Sequence, residues 1–235
     1  ASDVYKRQTL FHKANHYCAP QFLEYWSYKH GLPIIGRLWR EALKDEDAAS
    51  TYMRITKTSQ EQFNEEIYDA ASRFVTWDLP RIKSVCSSYA NQHQCKLVKA
   101  DAGWYQIAKE KCPQSYGYNA VRLKVPRGGT EVRLTFEGIA GDKDFYTEAK
   151  ENAGWRYGFV AVKQDGKRVY GKMNKAVNGV NQSVKFVLPD NTQFLWLVVT
   201  GAPDKHIAYH KKMEKVAEWP YKIKLEGTFL HATTM

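Results

Sequence analysis

The sequence predicts the α+β fold class, with the remnant of an N-terminal helical bundle followed by an antiparallel β-sandwich of jelly-roll type. Apolar residues recur every three to four positions from about residue 14 to 91, as in helices that pack on one side. From about residue 96 onward they alternate with polar residues, as in strands with one buried face. Turn signals at short intervals favour an antiparallel sandwich. We therefore expect a helical domain over residues 9–95 and a sandwich domain over residues 96–235.

The helical part opens with two short helices. Phe22, Leu23 and Trp26 share one face of the first helix, which is expected to end at Gly31. Pro33 suits the first turn of the second helix, where its missing amide hydrogen is not needed. Apolar residues then continue this helix at helical spacing: Ile34, Ile35, Leu38, Trp39, Ala42 and Leu43.

A capping box predicts the start of a longer helix. Both Ser59 with Gln62 and Thr58 with Glu61 fit this motif. The apolar face that follows consists of Phe63, Ile67, Ala70, Ala71 and Phe74. Leu79-Pro80 interrupts the helical pattern, and the spacing of Ile82, Val85 and Tyr89 predicts that it resumes.

The second part of the chain contains clear strand signals. Apolar and polar residues alternate over 132–136 and over 221–225, which predicts strands with one buried and one wet face. Every residue of the segment 194–199 is apolar, as in a central strand that is covered on both faces. Gln-Asp-Gly-Lys at 164–167 predicts a hairpin turn. Residues 205–218 are expected to form a short helix or a long loop.

Composition bounds the function classes. The 235 residues are 43% hydrophobic and 14% aromatic, which is enough for a packed core and argues against disorder. No apolar run approaches the roughly 18 residues that a membrane-spanning helix requires. The net charge of +10 lies mainly in the second part, because residues 1–95 hold 12 basic and 11 acidic residues. The lysines there are dispersed, so we predict a solvated basic face and no nucleic-acid site.

The four cysteines, Cys18, Cys86, Cys95 and Cys112, lack the Cys-x-x-Cys spacing of a zinc ribbon. Two alternatives stay open for them. If the protein is exported, a disulfide between Cys86 and Cys95 is one possibility. The other is four reduced thiols, two of them buried.

His206, His210 and Glu214 would share one face of a helix, which is one geometry for binding a metal ion. The zinc-protease pattern needs a glutamate directly after the first histidine to act on the metal-bound water, and that position is Ile207. Several lysines in the same segment would repel a cation. A charged surface helix is therefore the favoured interpretation, and no metal ligands are predicted in this chain.

Two pairs of residues are candidate binding residues. His16 and Tyr17, at the start of the first helix, are candidate pocket residues. Trp155 and Tyr157 lie two apart on a predicted strand, in line with Phe159, so the three rings share one face. Such a strip can stack on sugar rings or pack in a core. The sequence contains no complete catalytic motif, and we predict no catalytic residue.

The first residues predict that the chain is a fragment. Residues 3–8 read like the in-frame translation of a sequencing-library adapter. We expect residues 1–8 to be an artefact and the remainder to be the C-terminal part of a longer protein. In that case an apolar patch is expected near Phe11, Tyr17 and Trp26, where the missing part would pack.

Several segments together resemble a family known as a domain of unknown function, number 6055, found in secreted bacterial proteins. These segments are Cys-Pro-Gln-Ser-Tyr-Gly-Tyr-Asn at 112–119, Gly-Trp-Arg-Tyr-Gly-Phe-Val-Ala at 154–161, Leu-Val-Val-Thr-Gly-Ala-Pro at 197–203 and Trp-Pro-Tyr at 219–221. Residues 17–39 are similar to a segment that follows the active-site helix in gluzincin metallopeptidases. The resemblance implies a secreted, zinc-peptidase-like helical domain followed by a β-sandwich.

The resemblance leads to two functional hypotheses. In the first, the chain is the C-terminal fragment of a secreted zinc-metallopeptidase-like protein that acts on a protein or glycoprotein; zinc would bind in the full-length parent, and the fragment itself would hold no cofactor and be inactive. In the second, the sandwich is a non-catalytic module that binds a glycan or glycoprotein. A self-contained structural protein is the third possibility. The sequence does not predict the oligomeric state.

Overall fold

The computed structural model describes residues 6–8, 20–147, 149–208 and 215–235. The helices in this part of the chain are α1 (Pro20–His30), α2 (Pro33–Arg40), α3 (Ala48–Thr56) and α4 (Gln60–Phe74). The strands are β1 (Leu97–Lys99), β2 (Tyr105–Ile107), β3 (Tyr118–Leu123), β4 (Glu131–Gly138), β5 (Gly154–Lys163), β6 (Arg168–Tyr170), β7 (Asn174–Val177), β8 (Gln182–Val187), β9 (Thr192–Gly201) and β10 (Tyr221–Glu226).

The helix boundaries follow local chemistry. Gly31, at φ +80°, ends α1 in a conformation that costs other residues strain, and Pro33 begins α2 as predicted. Asp47 caps α3 by accepting a hydrogen bond from the Ser50 amide at 2.9 Å. Of the two possible capping boxes, the one that forms at α4 pairs Ser59 with Gln62.

The expectation that helical structure resumes after Leu79-Pro80 is wrong. Residues 80–86 form turns, and a single 3₁₀ turn covers Ser87–Tyr89. Of the three apolar residues on which the expectation rested, Ile82 is partly buried against the helical core, whereas Val85 and Tyr89 are exposed. Because no surface covers Val85 and Tyr89, the apolar spacing of this segment does not stabilise a continuous helix.

The strands form two antiparallel sheets in the described part of the chain. The first sheet has the order β1-β2-β10-β4-β8. The second has the order β3-β9-β5-β6, with β7 also paired to β5. This arrangement confirms the predicted α+β class with an antiparallel sandwich, and the hairpin at 164–167 joins β5 to β6.

The inner faces of the two sheets enclose one core. The alternating residues of β4 and β10 point into it as predicted, and Val132, Leu134, Phe136, Tyr221 and Ile223 are all fully buried. The opposite side chains of these strands form the outer face of the first sheet. There Lys222 pairs with Glu137 at 3.0 Å and lies over the half-buried Trp104 ring.

The helices cover the outer face of the second sheet. Phe74 of α4 meets Tyr118 of β3, and Val160, Trp196 and Val198 join the same buried cluster. The central strand β9 is therefore buried on both faces. This explains why the segment 194–199 is apolar throughout, as the sequence analysis predicted.

Hydrogen bonds between Asp47, His206 and Tyr116, called the relay below, connect the helices to the segment after β9. His206 Nε2 lies 3.0 Å from both carboxylate oxygens of Asp47, and its Nδ1 lies 2.8 Å from the Tyr116 hydroxyl. A carboxylate only accepts, so in the neutral ring Nε2 donates to Asp47 and Nδ1 accepts from Tyr116. The described residues on either side of the gap at 209–214 are not helical.

The structure also tests the two alternatives for the cysteines. Cys86 carries a free thiol, so the disulfide to Cys95 is not formed. Cys112 is also a free thiol, and burial raises its pKa.

No helix among the described residues has the length and apolar character to cross a membrane.

Candidate functional site

The predicted aromatic strip lies inside the sandwich. Trp155 and Tyr157 are both 0% exposed. The Trp155 indole donates to the Trp219 carbonyl at 3.0 Å, and Phe136 stacks on Tyr157 with 4.3 Å between ring centroids. Solvent does not reach these rings, so neither can stack on a sugar. The prediction of Trp155 and Tyr157 as binding residues is corrected to a packing role.

The other candidates from the sequence are dispersed. His16 and Tyr17 lie outside the described residues, as do His210 and Glu214. His206 is held by Asp47 and Tyr116 in the relay. Among the residues that the structure describes, no group of three His, Cys, Asp or Glu side chains is placed to hold a metal ion.

The structure instead reveals a polar cleft in the helical part, between α1, α4 and the end of α3. Its volume is about 450 Å³, within the range of about 300–1,000 Å³ typical of small-molecule sites. Its lining combines carboxylates, ammonium groups, hydroxyls and one amide. These side chains belong to Tyr25, Lys29, Thr56, Lys57, Thr58, Gln62, Glu65, Glu66 and Asp69.

Local structure brings this set together. Phe22 of α1 packs edge-on against Phe74 of α4, with ring centroids 5.0 Å apart, which holds the two helices side by side. Glu65 and Asp69 are four apart on α4 and therefore lie on one flank. Lys57, which comes before α4 in the chain, contributes the third side of the cleft; its left-handed conformation at φ +57° ends α3.

The Asp69 carboxylate is fixed from one side. Its Oδ2 accepts hydrogen bonds from the Tyr25 hydroxyl at 2.8 Å and from Arg73 Nε at 3.0 Å. Burial, with the Asp69 charge as the next cause, raises the pKa of Tyr25, which keeps this hydroxyl a donor. Oδ1 has no hydrogen-bond partner among the described residues, and the side chain is 45% exposed. One oxygen of a rigidly held carboxylate is thus open to the cleft.

Glu66 is fixed on both oxygens. Lys29 donates to Oε1 at 2.8 Å, and the Tyr52 hydroxyl donates to Oε2 at 2.6 Å. His30 Nε2 in turn donates to the Tyr52 oxygen at 2.7 Å. Burial lowers the pKa of His30, which favours its neutral form, and burial followed by the Glu66 interaction raises the pKa of Tyr52. This network holds the floor of the cleft in one arrangement.

Three further lining groups have unused hydrogen-bonding capacity. Glu65 is exposed and makes no hydrogen bond or ion pair with a described residue, and the same holds for the exposed Lys57 ammonium. Gln62 uses its side-chain oxygen in the capping box, which leaves its amide nitrogen without a described partner. The cleft therefore presents both open donors and open acceptors. A hydroxyl group, which both donates and accepts, complements such a lining.

The cleft does not fit the zinc site that the gluzincin resemblance implies. That site requires two histidines beside a glutamate, and none of the lining residues is a histidine. His30, which bonds to Tyr52 behind Glu66, is already used in that network.

Sequence reasoning missed the cleft. The carboxylates Glu65, Glu66 and Asp69 were part of a pattern typical of a solvated helix flank. The four-residue spacing of Glu65 and Asp69 was a visible signal, but their convergence with Lys29 and Lys57 depends on the packing of α1 against α4.

A second, apolar hollow of about 250 Å³ lies on the other side of α1. Leu23, Leu38 and Trp39 line it, and Trp39 is 83% exposed. Trp26, one of the three residues near which an apolar patch was predicted, is itself buried, and the patch stays a prediction. Phe11 and Tyr17 lie outside the described residues.

Comparison with solved structures finds partial similarity. The C-terminal family 22 carbohydrate binding module of a Clostridium thermocellum protein is 12% identical, with 61% of this chain and 85% of that chain covered and a TM-score of 0.34. The Yersinia pseudotuberculosis-derived mitogen is 10% identical over 59% of this chain and 88% of its own, with a TM-score of 0.32. A family 16 carbohydrate binding module is 11% identical over 57% and 86%, at a TM-score of 0.32.

Similarities at these identities and TM-scores carry no functional argument. No curated protein matches the chain. A family model matches residues 3–232, which is nearly the whole sequence and includes all four segments that carried the resemblance. The chain therefore belongs to the family of unknown function DUF6055.

Proposed function

We propose that this protein is a binding module that holds a glycan, or the glycan of a glycoprotein, in the cleft between α1 and α4. The observation that carries the proposal is the set of open donors and acceptors around the cleft: Glu65, the Asp69 Oδ1 atom, the Gln62 amide and Lys57. Glycan binding was one of the two hypotheses from the sequence; its site is here placed in the helical part and not on the strand of Trp155 and Tyr157.

Preorganisation supports this proposal. Asp69 and Glu66 are already oriented by tyrosine hydroxyls, so binding does not require these side chains to be ordered anew. Lys29 neutralises Glu66 and Arg73 neutralises Asp69, and neither Glu65 nor Lys57 makes a direct ion pair with a described residue. A neutral ligand rich in hydroxyl groups fits a cleft of that charge better than a strongly anionic one.

The test is a glycan array followed by calorimetric titration of the best-binding sugars. Glu65→Gln removes the open carboxylate and is expected to weaken binding at least about tenfold, since a hydrogen bond to a charged group contributes roughly 1.5–3 kcal/mol. The matched control is Glu226→Gln, an exposed glutamate on the first sheet, which should bind like the wild type. Equal losses in both variants, or binding that Glu65→Gln does not change, would exclude the cleft.

We also propose that the protein meets this ligand outside the cell, as the resemblance to secreted proteins implies. The zinc-peptidase-like parent stays a prediction with its own test. Zinc analysis of a longer natural chain that contains this sequence should find stoichiometric metal, and its absence would remove that hypothesis.

A further inference from the structure

An exposed aromatic platform lies directly beside the cleft. The Arg73 guanidinium sits over the ring of Tyr28 at 5.2 Å from its centroid and over the ring of Tyr170 at 5.8 Å. The three side chains come from α1, α4 and β6, so the platform joins the helices to the second sheet. Tyr28 is 48% exposed and Tyr170 is 38% exposed.

The platform is rigid. Arg73 is anchored by Asp69 at 3.0 Å, and the Tyr170 hydroxyl donates to Asp78 at 2.9 Å. Tyr28 also contacts the buried Tyr25 ring, with 6.3 Å between centroids. An exposed tyrosine held by ring and cation contacts loses little conformational freedom when a ligand covers it.

The platform and the cleft share a wall. Asp69 lines the cleft, and its Oδ2 atom holds Arg73, whose guanidinium packs on the Tyr28 ring. Tyr25 likewise lines the cleft and contacts Tyr28. The Tyr28 ring therefore adjoins this wall of the cleft, through its contacts with Tyr25 and Arg73.

We infer that Tyr28 forms a second subsite, on which the sugar ring adjacent to the one in the cleft stacks, so that the natural ligand is an oligosaccharide. This inference rests on the proposed glycan binding and adds the length of the ligand to it. The apolar C–H face of a pyranose can cover the exposed part of an aromatic ring, and burial of that area is favourable.

The experiment compares short and long probes of the same sugar. Xylose, glucose, mannose and N-acetylglucosamine, and the hexasaccharide of each, are titrated into the wild type, Tyr28→Ala and Tyr28→Phe. The control variant is Tyr89→Ala, which removes an exposed tyrosine elsewhere on the helical part. Circular dichroism and thermal melts establish that each variant is folded.

The inference predicts that the wild type binds one hexasaccharide about tenfold or more tightly than its monosaccharide, a difference of about 1.4 kcal/mol. Tyr28→Ala should abolish that gain and leave monosaccharide binding unchanged, while Tyr28→Phe and Tyr89→Ala keep it. Equal affinity of the wild type for short and long probes, or a gain that Tyr28→Ala retains, would overturn the subsite alone. Absence of binding to every probe would overturn both the subsite and the proposed function.

Discussion

Two aromatic clusters in this protein contain hydrogen-bonded tyrosines but lie in opposite surroundings. In the sandwich, Tyr157 and Trp155 are enclosed between the sheets; the Trp155 indole bonds to the Trp219 carbonyl and the Tyr157 hydroxyl to the half-buried Gln182. In the helical part, Tyr25 and Tyr52 are equally buried, yet the carboxylates they hold face a cleft. The first cluster completes a core, whereas the second orients groups that remain available.

This difference distinguishes aromatic residues that pack in a core from tyrosines that orient carboxylates for binding. An aromatic ring with apolar neighbours on both sides contributes mainly dispersion and area burial. A buried tyrosine that donates to a partly exposed carboxylate does something else, because it fixes the direction of an acceptor that solvent or a ligand can reach. The predictions that follow test this division, in order of decreasing effect.

The largest effect is expected in the sandwich core. Trp155→Ala should lower the free energy of unfolding by about 3–5 kcal/mol, because a fully buried indole is lost and a cavity remains. Urea denaturation measures the change. The matched variant Trp39→Ala removes a largely exposed indole and should cost less than about 1 kcal/mol. Comparable losses in the two variants would contradict the packing role assigned to Trp155.

The relay between the helices and the segment after β9 should have the next largest effect. Asp47→Asn removes the charge that holds His206 and weakens the cap of α3, so the free energy of unfolding should fall by about 1–3 kcal/mol. The exposed Asp45→Asn is the control and should be neutral. An unchanged melting curve for Asp47→Asn would refute the stabilising role of this relay.

The Asp47 carboxylate also predicts a pH dependence. Hydrogen bonds from His206 and Ser50 outweigh burial, the largest single cause, and lower the pKa of Asp47 to about 2. A lowered carboxyl pKa gives stability that is present above the unfolded value of about 3.9 and is lost as the pH falls towards 2. Denaturation midpoints from pH 5 to 2 should fall less steeply in Asp47→Asn than in the wild type. Parallel slopes would be inconsistent with this assignment.

A smaller effect is expected at mildly acidic pH. His93 is buried against Trp196 and Tyr118, and burial lowers its pKa well below 6.5. The unfolded chain takes up this proton near pH 6.5 and the folded chain does not, so stability should fall as the pH drops below that value, by at most about 1.4 kcal/mol per pH unit. His93→Gln should flatten the pH dependence between 6.5 and 5. A slope that persists in this variant would assign it to other groups, such as His30.

The organisation of the fold could be predicted from the sequence because each element contains its own signal. The capping box of α4, Pro33 at α2 and the alternation along β4 and β10 are local patterns, and all three are present in the structure. The segment 80–89 had helical spacing, but Val85 and Tyr89 have no surface to cover them, so its pattern gave the wrong element.

The candidate site could not be predicted in the same way. Strand alternation correctly placed Trp155 and Tyr157 on one face, but it does not say whether a second sheet covers that face. The cleft depends on residues from three separated segments, at Lys29, Lys57 and Glu65, which become neighbours only after α1 packs on α4. Their side-chain types are ordinary on helix surfaces, so no motif marked them.

The central claim, that the cleft between α1 and α4 binds the ligand, is tested most directly by NMR. Amide spectra of ¹⁵N-labelled protein would be recorded during titration with the tightest-binding hexasaccharide. The account predicts saturable shifts centred on Lys57, Gln62, Glu65 and Asp69, with the core strand β5 unaffected. Shifts centred on the outer face of the first sheet, around Trp104 and Lys222, would contradict it.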